Sequence, residues 1–471
     1  MMNQVLKKVY TISQKGESPR VWLQSLVLEA AGIAEGDPLY INIDEENEEI
    51  TVQNHSLDDA GHLVHASGRL NKTSNKRRPL LDSAKKEYAS IISIKQKVEV
   101  CVYRKGLKSR IVIRPLHFKL MENCTQMTPK DDRIKILSVG AGCGIGSGAL
   151  IDTKYFTAVQ EIELEDDSAE VLKHNYPNSF LFNGDIRDCH EVAKSDIALV
   201  TLPCNQFSTL GNGDGSVIEN LVLAAFKIIK SSQSKIVFFE NVPAFFTDPS
   251  WHLLKDLLKD DYPYFAEKNI EAWDFKSIAT RNRTYVVAFK EFDMFTNFQF
   301  PAPPKGRRKK LKNFLDGKHV VHEWKSIETW MTNFEDRDSS WRDRNLDKTF
   351  VDGECQQINC LPKRYRGQSA SSSYVLSEDK KSWRFLSENE IRRILDVPSW
   401  FEFCDHTPVT RRIEMLGQSV SCQVIKAIGN NIATTFLRQA YKKTNDAARV
   451  LKEKVEQAVS ITTNGQLELL L

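Results

Sequence analysis

The pair Pro203-Cys204 follows an apolar, strand-like run at Leu199–Leu202. Open α/β sheets carry their chemistry outside the carboxyl ends of their strands, so this position makes the Cys204 thiol a candidate nucleophile. A single cysteine beside a hydrophobic run is also typical of a small buried core residue. The choice between these two interpretations depends on motifs elsewhere in the chain.

Two other strand-like runs end in residues that could take part in chemistry. Ile136–Gly146 joins an apolar run to a glycine loop, and glycines let the backbone approach a ligand closely. A second run ends in the carboxylate of Glu240 and the amide of Asn241, and Arg281 and Arg283 follow downstream. Residues two apart on a strand share a face, so the two guanidinium groups are expected on one side. Taken alone, the glycine loop fits a dinucleotide site equally well.

In this order, the elements resemble those of the DNA cytosine-5 methyltransferases, where a glycine loop, a Pro-Cys, a Glu-Asn-Val and an Arg-x-Arg follow one another. Near the C-terminus, Phe385–Pro398 is similar to the family's helix after the recognition region, and Leu416–Val420 is similar to its closing Gly-Asn-x-Val element. The resemblance runs from about Lys135 to about Leu437 and is specific because six elements keep their order. It implies a Rossmann-like, doubly wound α/β methyltransferase domain.

The resemblance also implies roles for five side chains around a cytosine that is flipped out of duplex DNA, where its C5 would otherwise be inaccessible. Cys204 would add to C6 and make C5 nucleophilic. Glu240 would hydrogen-bond N3 and the exocyclic amine, and Asn241 would hold the loop that contains Cys204. Arg281 would contact the cytosine O2 or the flanking phosphate, and Arg283 would tie down the active-site loop.

The methyl donor implied by the resemblance is S-adenosylmethionine. Glu161, expected at the end of the second strand, would chelate the two ribose hydroxyls, Asp185 would accept a hydrogen bond from the adenine amine, and Ile186 would pack on the adenine ring. The residues expected at the cofactor are Gly140, Ala141, Gly142, Cys143, Gly144, Glu161, Ile162, Asp185, Ile186, Pro203, Gln418, Ser419 and Val420. No metal site is expected, because Cys355 and Cys360 have no matching second pair.

Some positions depart from the family's pattern. Gly140 stands where an aromatic residue is usual, and this loss would weaken packing under the adenine. The other departures are Ser138 for Asp, Thr201-Leu202 for Gly-Pro, Asn205 for Gln, Ala279 for Gln and Gln418 for Asn. Cys204, Glu240 and Arg281 are all retained, which predicts an active enzyme on a divergent sequence.

Length and composition are those of a globular protein with more than one domain. The chain has 471 residues, of which 41% are hydrophobic and 27% charged, so two or three domains of a soluble protein are expected. It contains no apolar run of about 18 residues and no signal-peptide core at its start, which disfavours membrane insertion and secretion. Nine cysteines without framework spacing fit a reducing compartment, and a cytoplasmic location is expected.

Residues 1–120 contain two similar units, each with the order strand, short helix, strand, turn, strand. A unit this small cannot bury its apolar face alone, so the two copies are expected to pack together as a small β-rich α+β domain. The pattern resembles the swapped-hairpin units of AbrB-like transition-state regulators and SymE-type toxins, which implies DNA binding or dimerisation. An unrelated small α+β adaptor is the alternative.

The remaining chain is predicted to form four segments. Residues 130–300 form the catalytic domain, residues 301–380 an irregular target-recognition domain, residues 381–440 a part that returns to the catalytic domain, and residues 441–471 a C-terminal helix and tail. Strands of the catalytic domain are expected at 134–137, 157–162, 180–182, 197–202, 235–239 and 283–289.

Double-stranded DNA is the expected partner. The formal net charge is only +3, but cations cluster at Lys72–Arg78, Lys305–Lys312 and Lys363–Gln368, where they could neutralise phosphates. The N-terminal cations expected to add sequence-independent affinity are Arg20, Lys72, Lys76, Arg77 and Arg78. The long segment that follows Arg283 is expected to select the sequence.

Two other functions stay open at this point. The same chemistry could methylate RNA cytosine, or a degenerate methyltransferase fold could serve as a non-catalytic DNA-binding scaffold. Cognate restriction or defence components are considered as partners, and the chain is expected to be a monomer or a dimer formed through its N-terminal domain.

Overall fold

The computed structural model describes residues 2–55, 61–116, 125–129, 131–203, 216–317, 319–335, 346, 348–461 and 467–469. Residues 2–116, here called the N-terminal segment, contain ten strands, one short α-helix and one 3-10 helix within their described part. The strands are β1 Asn3–Thr11, β2 Ser13–Lys15, β3 Ser18–Leu23, β4 Pro38–Asp44, β5 Glu49–Gln53, β6 His62–His65, β7 Ser67–Leu70, β8 Arg77–Ala84, β9 Lys97–Lys105 and β10 Lys108–Pro115, and the helices are α1 Ser25–Ala30 and the 3-10 helix Lys86–Ser90.

Two runs of the N-terminal segment share the order strand, short helix, strand, strand: β3, α1, β4 and β5, then β8, the 3-10 helix, β9 and β10. The two runs pair with each other, because β3 is antiparallel to β8 and β5 is antiparallel to β10. Strand β8 has the period of two of a half-buried strand, with Pro79, Leu81 and Ser83 inward. The resemblance to swapped-hairpin barrels stays a prediction.

Residues 125–297, here called the catalytic segment, have the α/β architecture that the motifs predicted. Its strands are β11 Thr125–Met127, β12 Ile134–Val139, β13 Phe156–Glu163, β14 Phe180–Asn183, β15 Glu191–Ala193, β16 Ile197–Val200, β17 Ile236–Asn241, β18 Tyr264–Glu271 and β19 Asn282–Phe289. Its helices are α2 Ile145–Asp152, α3 Asp166–Asn175, α4 Ser216–Ser232, α5 Pro249–Leu258 and α6 Phe292–Asn297.

The main sheet of this segment has the order β18-β19-β17-β16-β12-β13-β14. Strands β12, β13, β14, β16 and β17 are parallel, whereas β19 is antiparallel to β17 and to β18. The central strands are continuous apolar runs because both faces are covered: Phe238 lies in one core cluster and Phe239 in the opposite one. The fold class is confirmed, and β18 adds an edge strand that was not among the predicted strands.

The sheet does not end at β14, because β1 of the N-terminal segment pairs with it in parallel. The order continues β14-β1-β9-β10-β5-β4-β6, which gives one sheet of 13 strands. Ala169, Leu172 and Leu181 of the catalytic segment lie in the same core cluster as Leu6 and Val27. The sequence analysis divided the chain near residue 120. The two segments on either side of this position share one sheet and one core cluster.

Residues 301–380, here called the recognition segment, are less irregular than their sequence predicted. They contain helix α7 Ile327–Glu335 and the strands β20 Lys325–Ser326, β21 Phe350–Val351 and β22 Tyr374–Leu376. Strand β23 Ser382–Arg384, just beyond the predicted boundary, completes their sheet in the order β20-β23-β22-β21. Stacked and edge-to-face aromatic rings fill its centre: Trp330, Phe334, Phe350, Tyr374 and Trp383. Trp341 lies outside the described residues.

The C-terminal part consists of α8 Glu388–Leu395, α9 Val409–Gln418, α10 Cys422–Ala458 and the paired strands β24 Val459–Ile461 and β25 Leu467–Leu469. Ser387 caps α8 in a capping box with Glu390. The helix predicted within residues 441–471 is the end of the 37-residue α10, and the predicted tail contains two short strands. Among the described residues, no helix combines the length and apolar character needed to cross a bilayer.

Candidate active site

The parallel strands β12, β13, β14, β16 and β17 all end at one edge of the sheet. This edge collects the glycine loop after β12, the acids at the ends of β13 and β14, and the segment after β16. Glu240 and Asn241 at the end of β17 complete the set. Since ligands of open α/β sheets bind outside the carboxyl ends of the strands, this edge is the candidate active site.

Cys204 and Asn205 lie outside the described residues, but the chain that leads to them is described up to Pro203. Asn241 Nδ2 donates a hydrogen bond of 3.1 Å to the carbonyl of Leu202. The Thr201 hydroxyl donates one of 2.8 Å to the carbonyl of Gly140. The chain segment before Cys204 is thus hydrogen-bonded both to β17 and to the glycine loop. Pro203 itself is exposed.

Glu240 is 7% exposed, and its Oε1 lies 3.3 Å from Nε of Arg283. Oε1 makes no hydrogen bond with any described residue. Burial and the neighbouring Arg281 charge lower the pKa of Arg283, and the Glu240 carboxylate opposes this shift. The pair places one carboxylate and one guanidinium side by side at the sheet edge.

Arg281 contacts the end of α9 and Cys360. Its guanidinium donates to the carbonyls of Gly417 at 3.3 Å and Gln418 at 3.4 Å, and it lies 3.7 Å from Cys360 Sγ. It therefore joins the end of α9 and the recognition segment to β19. The structure places Arg283 beside Glu240, and the roles that the resemblance implies for the two arginines stay predictions.

The glycine loop turns sharply between β12 and α2. Gly140 has φ of 69°, and a Cβ there would lie 2.6 Å from the Thr201 carbonyl oxygen, so this position requires glycine. The amides of Gly140 and Ala141 both donate to the Ile162 carbonyl.

The rest of the loop leads into α2. Cys143 is buried, which raises the pKa of its thiol to about 12, and it packs in the core. Gly144 caps α2, and the space around Gly142 is open.

Glu161 and Ile162 are not placed as predicted, because β13 extends to Glu163. Ile162 is fully buried in the core. Glu161 is 1% exposed; burial raises its pKa to about 8, although the hydroxyls of Ser147 and Ser138 oppose that shift.

Glu163 is the acid that stands at the strand end. Its Oε2 accepts a hydrogen bond of 2.7 Å from the amide of Gly142, and its Oε1 accepts one of 2.8 Å from the amide of Glu165. The next residue, Leu164, exposes 62% of its surface. Sequence analysis missed both residues, because acids stand at 161, 163 and 165 and the sequence alone does not show which of them ends the strand.

Asp185 lies after β14, as predicted, and caps the 3-10 helix Ile186–Asp188 by accepting from the Arg187 amide at 2.9 Å. Burial opposes its ionisation, but the Arg187 guanidinium and amide hold the pKa of the carboxyl below its ordinary value. Ile186 is partly buried beside it. These two side chains stand at the end of the third parallel strand, next to Glu163.

Gln418, Ser419 and Val420 form the turn between α9 and α10. A Cβ on Gly146 would lie 3.9 Å from Val420 Cγ2, so this turn lies at the start of α2, beside the glycine loop. The Ser419 hydroxyl donates to the Leu416 carbonyl at 2.7 Å, and Gln418 is exposed.

The N-terminal cations are largely engaged inside the protein. Each of four pairs with a carboxylate: Arg20 with Asp82, Lys76 with Asp405, Arg77 with Glu35, and Arg78 with Glu29 and Glu170. Lys72 forms no ion pair with the described residues. Four of these five cations therefore have carboxylate partners in the structure, and their predicted contribution to DNA affinity stays a prediction.

A cluster of Asp316, His322 and Glu390 has the spacing of a metal site. Both carboxylates already pair with arginines, Glu390 with Arg384 and Asp316 with Arg393. The cluster is therefore an ion-pair network that fastens α8 to the recognition segment.

Residues 134–434 match the family described as C-5 cytosine-specific DNA methylase. The chain is 25% identical over 316 residues to the Type II methyltransferase M.BsuFI of Bacillus subtilis, covering 64% of this chain and 74% of that protein. It is 27% identical over 324 residues to M.Bsp6I of Bacillus sp. (strain RFL6), covering 64% of this chain and 100% of that protein.

Among solved structures, the crystal structure of a Spodoptera frugiperda DNMT2 mutant is similar with a TM-score of 0.51 and 16% identity, covering 64% of this chain and 99% of that one. At this identity the likeness describes the fold alone. The matched family range begins after the N-terminal segment.

Proposed function

This chain belongs to the C-5 cytosine-specific DNA methylase family, so it methylates C5 of cytosine in DNA, and we propose how its own residues perform that reaction. The observation that carries the proposal is the Glu240–Arg283 pair at the end of β17, with Asn241 holding the chain that leads to Cys204. This arrangement supports a nucleophile, a carboxyl and a guanidinium converging on one base.

Cys204 is the proposed nucleophile. Its thiolate forms a bond to C6 of the flipped cytosine, which turns C5 into an enamine carbon able to accept a methyl group. After methyl transfer, loss of the C5 proton and breaking of the Sγ–C6 bond restore the aromatic ring and the free thiol. Asn241 positions Cys204 through its hydrogen bond to Leu202.

Glu240 hydrogen-bonds N3 and the exocyclic amine of the cytosine, and so stabilises the adduct as N3 gains proton character. Its Oε1, which makes no hydrogen bond with the described residues, supports this role. Arg283, 3.3 Å away, is then the guanidinium placed to reach the cytosine O2. Arg281 acts as a positioning residue that fastens the end of α9 to β19.

The cofactor that we propose is S-adenosylmethionine, which supplies the methyl group when bound. Gly140–Gly144 let the backbone approach its methionine portion, and the open space at Gly142 fits such a cradle. Glu163 takes the ribose role first assigned to Glu161, since a carboxylate can accept about four hydrogen bonds and its backbone contacts use two.

The adenine end of the site is proposed to lie between β13 and β14. Leu164 packs on one side of the ring and Ile186 on the other, and Asp185 accepts from the exocyclic amine. Pro203 and the turn of Gln418, Ser419 and Val420 close the methionine side, because this turn lies against the start of α2.

Double-stranded DNA is the proposed substrate form, read by the recognition segment at residues 301–380. RNA methylation is less well supported, because the matched family is described as a DNA methylase. The matched relatives are named Type II methyltransferases, which supports a cognate restriction component as the proposed partner. A cytoplasmic location is proposed with it. The division into a catalytic domain, a recognition domain and a returning C-terminal part stays a proposal of the same kind.

Bisulfite sequencing of host DNA, with and without this protein, tests the function. We expect protection of cytosine within one short motif only when the protein is present, and the Cys204→Ser variant is the matched control. Identical conversion patterns with and without the active protein would contradict the proposal.

A further inference from the structure

We propose that the N-terminal segment is a positioning element for the cofactor site, and that Lys8 is the residue that transmits its support. The inference rests on the cofactor site proposed above. It concerns residues that lie outside the range matched by the family.

Strand β1 is built into the cofactor-binding half of the sheet. It pairs with β14 in parallel, with Leu6 opposite Leu181, Lys7 opposite Phe182 and Lys8 opposite Asn183. Asn183 is the last residue of β14 and lies two positions before Asp185. The pairing of β1 with β14 therefore ends at Asn183, where the proposed adenine site begins.

Lys8 is 3% exposed, and a buried ammonium needs partners. Its Nζ donates to Asn183 Oδ1 at 2.5 Å and to Asp166 Oδ1 at 2.5 Å. The amide nitrogen of Asn183 in turn donates to the carbonyls of Glu163 at 3.1 Å and Leu164 at 3.2 Å. One side-chain amide thus links Lys8 to the strand end that carries the proposed ribose-binding acid.

A second contact supports the other side of the same site. Lys97 of β9 lies 3.0 Å from Asp188 Oδ2, and Asp188 is the last residue of the 3-10 helix that Asp185 caps. Lys8 and Lys97 therefore hold the two loops between which the adenine is proposed to bind. Both cations belong to the N-terminal segment, and their three partners, Asn183, Asp166 and Asp188, belong to the catalytic segment.

Loss of Lys8 should release the Asn183 side chain and let the Glu163–Leu164 strand end relax. Energetic coupling through such a short contact network is about 0.5–2 kcal/mol. This corresponds to a rise in the Kd for S-adenosylmethionine of about two- to thirtyfold. Binding of duplex DNA should be unchanged, because the contact does not involve the recognition segment.

Lys7→Met is the matched control for Lys8→Met. Lys7 is the adjacent residue, is also 3% exposed, and pairs with Glu99 and Glu191 instead. Both variants lose one buried ammonium, so both can lower the melting temperature, but only Lys8→Met should weaken cofactor binding. Calorimetry with S-adenosylmethionine and anisotropy with labelled duplex, on the full chain well below its melting temperature, give the two affinities.

A surface variant covers the case in which Lys8→Met does not fold. The side chain of Lys97 is 56% exposed, so Lys97→Gln should fold and should weaken S-adenosylmethionine binding by a smaller factor. Lys105→Gln, at the other end of β9, is its control and should bind the cofactor as the unaltered protein does.

Asp185→Ala separates failure of this inference from failure of the proposed cofactor site. If Asp185→Ala weakens S-adenosylmethionine binding while Lys8→Met and Lys97→Gln do not, the positioning role is wrong and the site stands. If Asp185→Ala has no effect, the site itself is misassigned and the inference fails with it. A Lys7→Met variant that weakens binding as much as Lys8→Met would also overturn the specific role of Lys8.

Discussion

Nε of Arg283 lies 3.3 Å from Oε1 of Glu240, and the two side chains are 16% and 9% exposed. Antiparallel pairing of β17 with β19 produces this contact, since Glu240 is opposite Tyr285, two residues after Arg283. The arginine two positions earlier faces the end of α9 instead. The carboxyl that we propose to bind the cytosine therefore has a guanidinium as its immediate neighbour.

Replacing Glu240 with Gln should lower the rate of methyl transfer by about 10²–10⁴-fold, because a neutral amide cannot share a proton with N3 in the adduct. Single-turnover transfer of a radiolabelled methyl group to duplex DNA measures this rate. Calorimetric affinity for S-adenosylmethionine is the control and should not change. A Glu240→Gln enzyme with an unaltered single-turnover rate would remove the carboxyl from the mechanism.

Glu163→Gln should weaken S-adenosylmethionine binding by about 1–3 kcal/mol, the range for a lost hydrogen bond to a charged group. Glu161→Gln is the matched control two residues away on the same strand, where the side chain is enclosed by the protein. Its cofactor affinity should be unchanged. The opposite ranking, measured by calorimetry, would restore Glu161 as the ribose-binding residue.

Glu161 should also make stability depend on pH. Its folded-state pKa is raised to about 8, so the folded protein keeps the proton that the unfolded chain loses near its ordinary value of about 4.3. The stability contribution is thus fully present below that value and is lost as pH rises towards 8. Urea unfolding at pH 5 and pH 8 should show a smaller pH-dependent loss in Glu161→Gln, and equal losses would refute the raised pKa.

Gly140→Ala should lower the melting temperature more than Gly142→Ala. Both residues have a left-handed φ, of 69° and 57°, but only at Gly140 would a Cβ collide with the Thr201 carbonyl, at 2.6 Å. Strain of this kind costs about 1–3 kcal/mol. Thermal unfolding of the two variants side by side checks the comparison; equal shifts would mean that φ alone matters.

The motif order was enough to predict the α/β fold, the strands that carry the site, and the placement of Glu240, Asn241 and Asp185. These features are local, because each polar residue directly follows an apolar run. The end of β13 could not be predicted from the sequence, because acids stand at 161, 163 and 165. Only the pairing of β13 with β12 and β14 shows which of them ends the strand.

Long-range pairing also explains the other differences. No local signal indicates that Lys8 will meet Asn183, 175 residues away, or that Lys76 will pair with Asp405, 329 residues away. A run of cations such as Lys72–Arg78 has the same sequence whether its partners are phosphates or carboxylates of the same chain. The central chemistry depends on a residue outside the described part, Cys204.

The most direct test of the account is covalent trapping on duplex DNA that contains 5-fluorocytosine, in the presence of S-adenosylmethionine. Fluorine at C5 cannot leave as a proton does, so the Sγ–C6 bond formed by the enzyme should persist and give a denaturant-resistant complex. Cys204→Ser should bind the same duplex but form no covalent, denaturant-resistant complex, because the serine hydroxyl stays protonated at neutral pH. A complex that persists in Cys204→Ser would contradict the assignment of the nucleophile.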